Sequence, residues 1–319
     1  EGNRATGRSL GIYEREVRSY AEVLPNIDVP APRVYAAIYE ATGDEPKEHN
    51  IKKKVDRLPF RVLRWLIRRE QGKSYVPPCV LLLEDVDGTV GDQVGGGSLE
   101  QIAAGLSTLA RCQASTWGGA NIPHEHWSEG PEYIPRIIQA LYLNGREEFL
   151  TQGAPYLSPH SVALYESLAE TGVKRVERHR DEVPQAMAHG DFRLDNMFFD
   201  PDGSVAAVID WQTAAPGPVV LDVGYFLVSS LPAETPESVV DELLAGYHAE
   251  LVANGVDDYP IERFLADYVD GLLIVLHRMT GLADIVDFGD GRGVDLMALW
   301  FQRLDARLQR VPSSHLATR

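Results

Sequence analysis

Between His189 and Trp211 the chain has little freedom in how it folds. The stretch H-G-D-F-R-L-D-N (His189 to Asn196) is a polar loop, and Met197 to Phe199 is a short apolar run. D-P-D-G (Asp200 to Gly203) is hairpin-turn chemistry, and Val205 to Ile209 is a second apolar run rich in β-branched residues that ends in I-D-W. A hairpin built this way brings Asp210 to the same end as the loop carrying Asp191 and Asn196. One carboxylate, a carboxamide five residues on, and a second carboxylate across a hairpin are what placing a hydroxyl beside a metal-bound triphosphate requires. In that reading Asp191 faces the hydroxyl while Asn196 and Asp210 hold Mg2+. The ion takes an octahedral oxygen shell from one or two carboxylates, waters and substrate phosphates. A lone H-x-D would be only a polar loop; Asn196, the hairpin and Asp210 together give it a chemical sense.

Elsewhere the hydrophobic pattern sets out the organisation. Leu10, Tyr13, Val17, Tyr20, Ala21 and Leu24 recur at spacings of three and four, so a helix is expected over Leu10–Leu24, ended by Pro25. Pro30 to Tyr39 and Cys79 to Asp85 read as strands, the second as the core strand. Between them, Asp44 to Lys73 holds ten Lys or Arg against five Asp or Glu. Arg57, Arg61, Arg64 and Arg68 recur at helical spacing beside an apolar stripe, which predicts a basic amphipathic helix over 52–69. Such a helix could lie on an anionic membrane or meet an anionic substrate group; a solvated face over a packed stripe is the plainer reading.

Three tempting motifs are set aside. G-G-G-S (Gly95 to Ser98) lacks a following G-K-[ST], and Ser98 with Gln101 forms a capping box for an apolar helix over Leu99–Cys112. D-F-G at Asp287 to Gly289 lies among turn residues, far beyond the catalytic loop, and reads as a loop. His124 and His126 show no third ligand and read as a pocket or surface loop. The C-terminal half is otherwise helical in pattern, at Ser161–Leu168, Val239–Leu251, Ile261–Leu276 and Leu296–Leu308.

The motif H-G-D-F-R-L-D-N with D-W-Q after it, and then Leu221 to Leu231 (L-D-V-G-Y-F-L-V-S-S-L), resembles the aminoglycoside phosphotransferase and choline-kinase-like families. The similarity is greatest to the ecdysteroid-kinase-like branch and to the phosphotransferase domains joined to acyl-CoA dehydrogenases, and it runs from about Tyr13 to about Leu308. It implies an α+β, protein-kinase-like two-lobed fold. Residues 1–86 would be an N-terminally incomplete small lobe and residues 87–319 a mainly helical large lobe. The implied activity is ATP-dependent, Mg2+-dependent phosphorylation of a small-molecule hydroxyl. By the resemblance Asp191 is the base, Glu16 is the helix carboxylate that pairs with a phosphate-binding Lys, and the Glu84 carbonyl and Val86 N–H are the hinge groups for adenine. Arg193 stands where related kinases put a Lys or His near the γ-phosphate; alternatively it only salt-bridges Asp195 or a helix carboxylate. Asp222 would brace the catalytic loop and His189 would orient it.

The resemblance also implies strands, a phosphate-covering loop and a Lys ahead of the Leu10–Leu24 helix. The six lysines are Lys47, Lys52, Lys53, Lys54, Lys73 and Lys174, and none precedes that helix. An N-terminal truncation, which the absence of an initiating Met supports, and a degraded kinase are the alternatives, and either would leave apolar strand edges exposed. The second would make the chain a non-catalytic pseudokinase or binding module. The acceptor stays open among a steroid alcohol, a hydroxyacyl thioester, an aminoglycoside and a choline-like amine.

Composition narrows the partners. A net charge of −17 argues against nucleic acid, whose phosphates the summed field repels. No apolar run approaches the roughly 18 residues of a membrane span and no signal peptide opens the chain, so a cytoplasmic protein is expected. Cys79 and Cys112 lie in apolar segments and are expected to be buried thiols, neither zinc ligands nor a disulfide.

Overall fold

A computed structural model describes residues 11–40, 58–70, 78–125, 127–128, 134–285 and 292–316, with the backbone alone at 67–70, 281–285 and 292. Asp287 to Gly289, His126 and most of the basic segment before residue 58 lie outside these.

The first helix, α1 (Ile12–Arg18), passes into a π-helical turn at Ser19–Val23 and a 3-10 turn at Leu24–Asn26, so Pro25 falls within the last turn and does not end an α-helix. Strand β1 (Val34–Tyr39) follows, then α2 (Phe60–Glu70), the described part of the basic helix, and β2 (Cys79–Leu83). Arg64 of α2 donates from Nε to Asn144 Oδ1 at 2.7 Å and from a terminal N–H to the Leu143 carbonyl at 3.0 Å.

β1 and β2 form an antiparallel pair, with Ile38 opposite Val80 and Ala36 opposite Leu82. Here two expectations need correction. β2 is no core strand: Val80 and Leu82 are 54% and 56% exposed, because only the alternate face, with Leu81 and Leu83, packs on the core. Cys79, at the start of β2, is exposed, whereas Cys112 is buried and its thiol pKa is pushed up by that burial.

The larger part of the molecule begins with the two-residue strand β3 (Thr89–Val90) and α3 (Leu99–Ser115). Ser98 caps α3 through the expected box, accepting from the Gln101 N–H while the Gln101 side chain accepts from the Ser98 N–H. α4 (Pro135–Gly153) and α5 (Pro159–Glu182) come next, then β4 (Gln185–Ala188), β5 (Met197–Phe199), β6 (Val205–Val208) and β7 (Ala215–Pro218). The chain closes with α6 (Val220–Ser230), α7 (Glu237–Ala253), α8 (Ile261–Ile285) and α9 (Arg292–Leu308). β5 and β6 are the expected antiparallel hairpin, β3 adds to the outer side of β5, and β4 pairs with β7.

Every residue of α6 is buried. Its neighbours α8 and α9 pack against it, and α8 also packs on α4 and α5. A helix buried on all sides belongs in the middle of a bundle, and α6 anchors the site from that position. His277 of α8 is fully buried, edge-on to Tyr142, with neither ring nitrogen hydrogen-bonded. Burial drives its pKa down to about 3. The folded-state value lies below the unfolded one, so this contribution to stability is complete above about pH 6.5 and is lost as pH falls toward 3. A His277→Phe variant should lack that loss: in denaturant titrations between pH 7 and 4, wild type should lose stability relative to the variant by up to about 1.4 kcal/mol per pH unit.

Candidate active site

The loop from His189 to Asn196 is held from beneath by Asp222, in the first turn of α6. Its carboxylate, buried to 1% exposure, accepts the His189 N–H at 2.6 Å and the Gly190 N–H at 3.0 Å. Gly190 has φ 81°, and a Cβ there would sit 2.8 Å from the Thr213 carbonyl oxygen, so the loop's first bend admits only glycine. His189 Nε2 donates to the Ile209 carbonyl at 2.9 Å, and its Nδ1 accepts the Asp191 N–H at 3.3 Å. This fixes a neutral tautomer with both nitrogens occupied, so His189 orients the loop and has no nitrogen left to take a proton from substrate.

At the exit of the loop, Ile209 N–H donates to the Asn196 carbonyl at 2.9 Å, which continues the β5–β6 ladder and sets Asn196 beside Asp210. Asp210 itself is left-handed, at φ 67° and ψ 57°, an uncommon conformation for a residue with a Cβ. Its N–H donates to the Tyr20 hydroxyl at 3.3 Å. Arg15 of α1 reaches the same turn, donating to the Gln212 carbonyl at 3.4 Å, so α1 packs directly on the segment carrying Asp210.

Glu16, Tyr20, Leu83, Glu84, Val86, Phe198, Ile209 and Asp210 all line one cavity of about 290 Å³. The structure therefore brings Glu16, Glu84, Val86 and Asp210 to one cleft; Asp191 and Asn196 do not line it, but the hairpin joins Asn196 to Ile209, next to Asp210, and the Asp191 charge is close enough to act on Asp210. Burial raises the pKa of Glu16 to about 7, with the charge of Asp210 adding to it. Asp210 is likewise raised, by burial first and by the Asp191 charge second. The cleft carries more negative charge than its own cations neutralise.

Arg193 is tied to two carboxylates, from Nε to Asp191 Oδ2 at 3.1 Å and from a terminal N–H to Asp195 Oδ2 at 3.2 Å. Burial works against its charge, but Asp191, Tyr225 and Asp195 outweigh it and raise its pKa. The salt bridge to Asp195 foreseen as the alternative role is thus present, together with one to Asp191.

Sequence reasoning missed several residues of the site. Tyr225, three residues after Asp222 on α6, donates its hydroxyl to Asp191 Oδ1 at 2.7 Å. Gln93 is fully buried: its Oε1 accepts the Leu194 N–H at 3.0 Å, and its own N–H donates to Asp195 Oδ1 at 3.0 Å. Arg303 of α9 donates to the Gln93 carbonyl at 2.8 Å. Only the helical spacing of Asp222 and Tyr225 was visible in the sequence; the Gln93 and Arg303 contacts span about a hundred residues or more and leave no local trace. His124 is exposed. Among the described residues no cluster of three or more His, Cys, Asp or Glu could hold a metal by itself, and no helix is long and apolar enough to cross a membrane.

An α+β fold of two lobes, with an acidic cleft at the end of a hairpin, is that of the kinase-like phosphotransferases. The chain belongs to the phosphotransferase enzyme family, whose family model matches residues 7–265. Its members are small-molecule kinases. Acyl-CoA dehydrogenase family member 11 of Gallus gallus is 41% identical over 46 residues, a match spanning 14% of this chain and 6% of that protein. Among solved structures, an amicoumacin kinase in complex with AMP-PNP, Ca2+ and Ami superposes with a TM-score of 0.55 at 12% identity, over 94% of this chain and 78% of that one. An aminoglycoside-3'-phosphotransferase of type VIII superposes with a TM-score of 0.45 at 18% identity, over 85% and 81%. The fold is what the amicoumacin kinase supports.

Glu16 offers a direct check on the cleft's electrostatics. Its folded-state pKa is raised, so its favourable contribution is complete below about pH 4.5 and is lost as pH rises through 7. Glu16→Gln should then be more stable than wild type at pH 8, by about 2 kcal/mol after allowance for residual solvation, and no more stable at pH 4.5. Paired denaturation curves at the two pH values measure the difference.

Proposed function

We propose that the chain phosphorylates a hydroxyl of a small molecule from ATP, with Asp191 as the base, Asn196 and Asp210 as the Mg2+ ligands, and the Glu84 carbonyl and Val86 N–H as the adenine contacts. The observation that carries this reading is the convergence of Glu84, Val86, helix α1 and the hairpin on one acidic cleft at Asp210, with Asn196 of the same hairpin bonded to Asp191.

The residues fit a divalent ion. Asn196 spends both its N–H bonds on Asp191, at 2.8 Å to the carbonyl and 3.2 Å to Oδ2, which leaves the carboxamide oxygen as its donor atom. Asp210 adds a carboxylate whose negative charge is disfavoured where it stands. Two protein oxygens suit an ion that completes its shell with water and phosphate oxygens. Bound there, Mg2+ would neutralise charge on the triphosphate.

The protein's own part is to hold and receive. Asp191 takes the proton of the acceptor hydroxyl as the oxygen–phosphorus bond forms, the bond from the γ-phosphorus to the bridging oxygen breaks, and ADP leaves. Arg193, already held by Asp191, stands beside the base and offers its remaining N–H groups to the transferring phosphoryl. Positioning and electrostatics do most of such chemistry.

One observation favours a second reading, a nucleotide-binding module without turnover: no cation pairs with Glu16 among the described residues, and only burial and Asp210 act on its pKa. Calorimetry with MgATP separates the possibilities. Magnesium-dependent binding that is lost in Asp210→Ala is the expected result and supports the site; binding without any phosphoryl transfer or hydrolysis favours the module. No binding to wild type would overturn both.

A further inference from the structure

On the proposed reaction, Asp191 must accept a proton, yet its carboxylate is already heavily engaged. A carboxylate offers about four acceptor positions, two on each oxygen. Both on Oδ2 are taken, by Arg193 Nε at 3.1 Å and Asn196 Nδ2 at 3.2 Å. One on Oδ1 is taken by the Tyr225 hydroxyl at 2.7 Å. A single position remains, on Oδ1, next to Tyr225. The Asp191 side chain is still 24% exposed, so the carboxylate is not sealed from an incoming acceptor.

Tyr225 is firmly held. It is 7% exposed on a helix that is buried throughout, and its ring meets Trp300 of α9 edge-on, with centroids 5.9 Å apart. Asp222, one turn earlier on the same helix face, grips the start of the loop. One rigid face of α6 thus fixes both the backbone of the loop and the orientation of its carboxylate.

We propose that Tyr225 is a positioning residue that leaves Asp191 one proton-accepting site and thereby disfavours water, relative to a bound alcohol, as the phosphoryl acceptor. Water is small and finds any open lone pair of the base; an alcohol held by the rest of its molecule needs only the one aimed at it. Filling the second position on Oδ1 removes a place where water could be activated. The inference rests on the kinase reading above and deepens it.

The test is ATP hydrolysis in the absence of any acceptor, with Mg2+ present, by wild type and by Tyr225→Phe, which keeps the ring against Trp300. The expected result is a rise of about tenfold in kcat for hydrolysis, the scale of one hydrogen bond to a charged group, with KM for ATP unchanged. A tyrosine that served only stability would lower the unfolding temperature and would not raise hydrolysis. Trp300→Leu, which removes the wall behind the ring and keeps the hydroxyl, should raise hydrolysis in the same direction and decides the matter if Tyr225→Phe does not fold. Equal or lower hydrolysis in both variants, with MgATP still bound, overturns this proposal alone. Failure of every form to bind MgATP overturns the kinase reading and this proposal with it.

Discussion

The site depends on one buried carboxylate meeting two backbone N–H groups. Asp222 sits in the first turn of a helix with no exposed side, where burial raises its pKa, and the His189 and Gly190 N–H groups are among those that act to lower it again. Because α6 is packed by α8 and α9, the position of those two N–H groups is fixed by the core of the large lobe. The bend at Gly190, the orientation of His189 and the approach of Asp191 to Tyr225 follow from it. Removing a partner from such a buried arrangement leaves the others unsatisfied in low dielectric, which is why a loop can be held as rigidly as a strand.

From that anchor the structure ties the loop down on its other sides. Gln93 holds Leu194 and Asp195, and Arg303 holds Gln93, so the C-terminal helix reaches the loop through a chain of hydrogen bonds. A Cβ at Gly91 would meet the Leu194 carbonyl oxygen at 2.5 Å, so the chain leaving β3 lies directly on the loop. On the opposite side, Tyr20 and Arg15 of α1 fasten the turn of Asp210. A π-helical turn at Ser19–Val23 follows α1, and Tyr20 within it accepts the Asp210 N–H.

What the sequence disclosed follows from the range of each interaction. The β5–β6 hairpin, the capping box at Ser98 and the later helices are written in neighbouring residues, through turn chemistry, cap chemistry and periodicity. That Asp191, Asn196 and Asp210 lie near one another was legible because one hairpin joins them, and the hold of Asp222 on the loop only through the family resemblance. Tyr225, Gln93 and Arg303 act across long separations, and nothing near them in the chain marks their partners. Burial was misjudged for the same reason: Cys79 to Leu83 is an apolar run like that of a core strand, but among the described residues β2 pairs with β1 alone and leaves the face of Val80 and Leu82 to solvent.

The most direct measurement is amide hydrogen exchange of His189 and Gly190, with MgATP affinity in parallel, in wild type and in Asp222→Ala, which leaves both donors without their acceptor. If the Asp222 carboxylate sets the site, both amides are strongly protected in wild type, lose protection in the variant while the helices keep theirs, and nucleotide affinity falls with them. Unchanged protection and unchanged affinity in the variant would contradict the account.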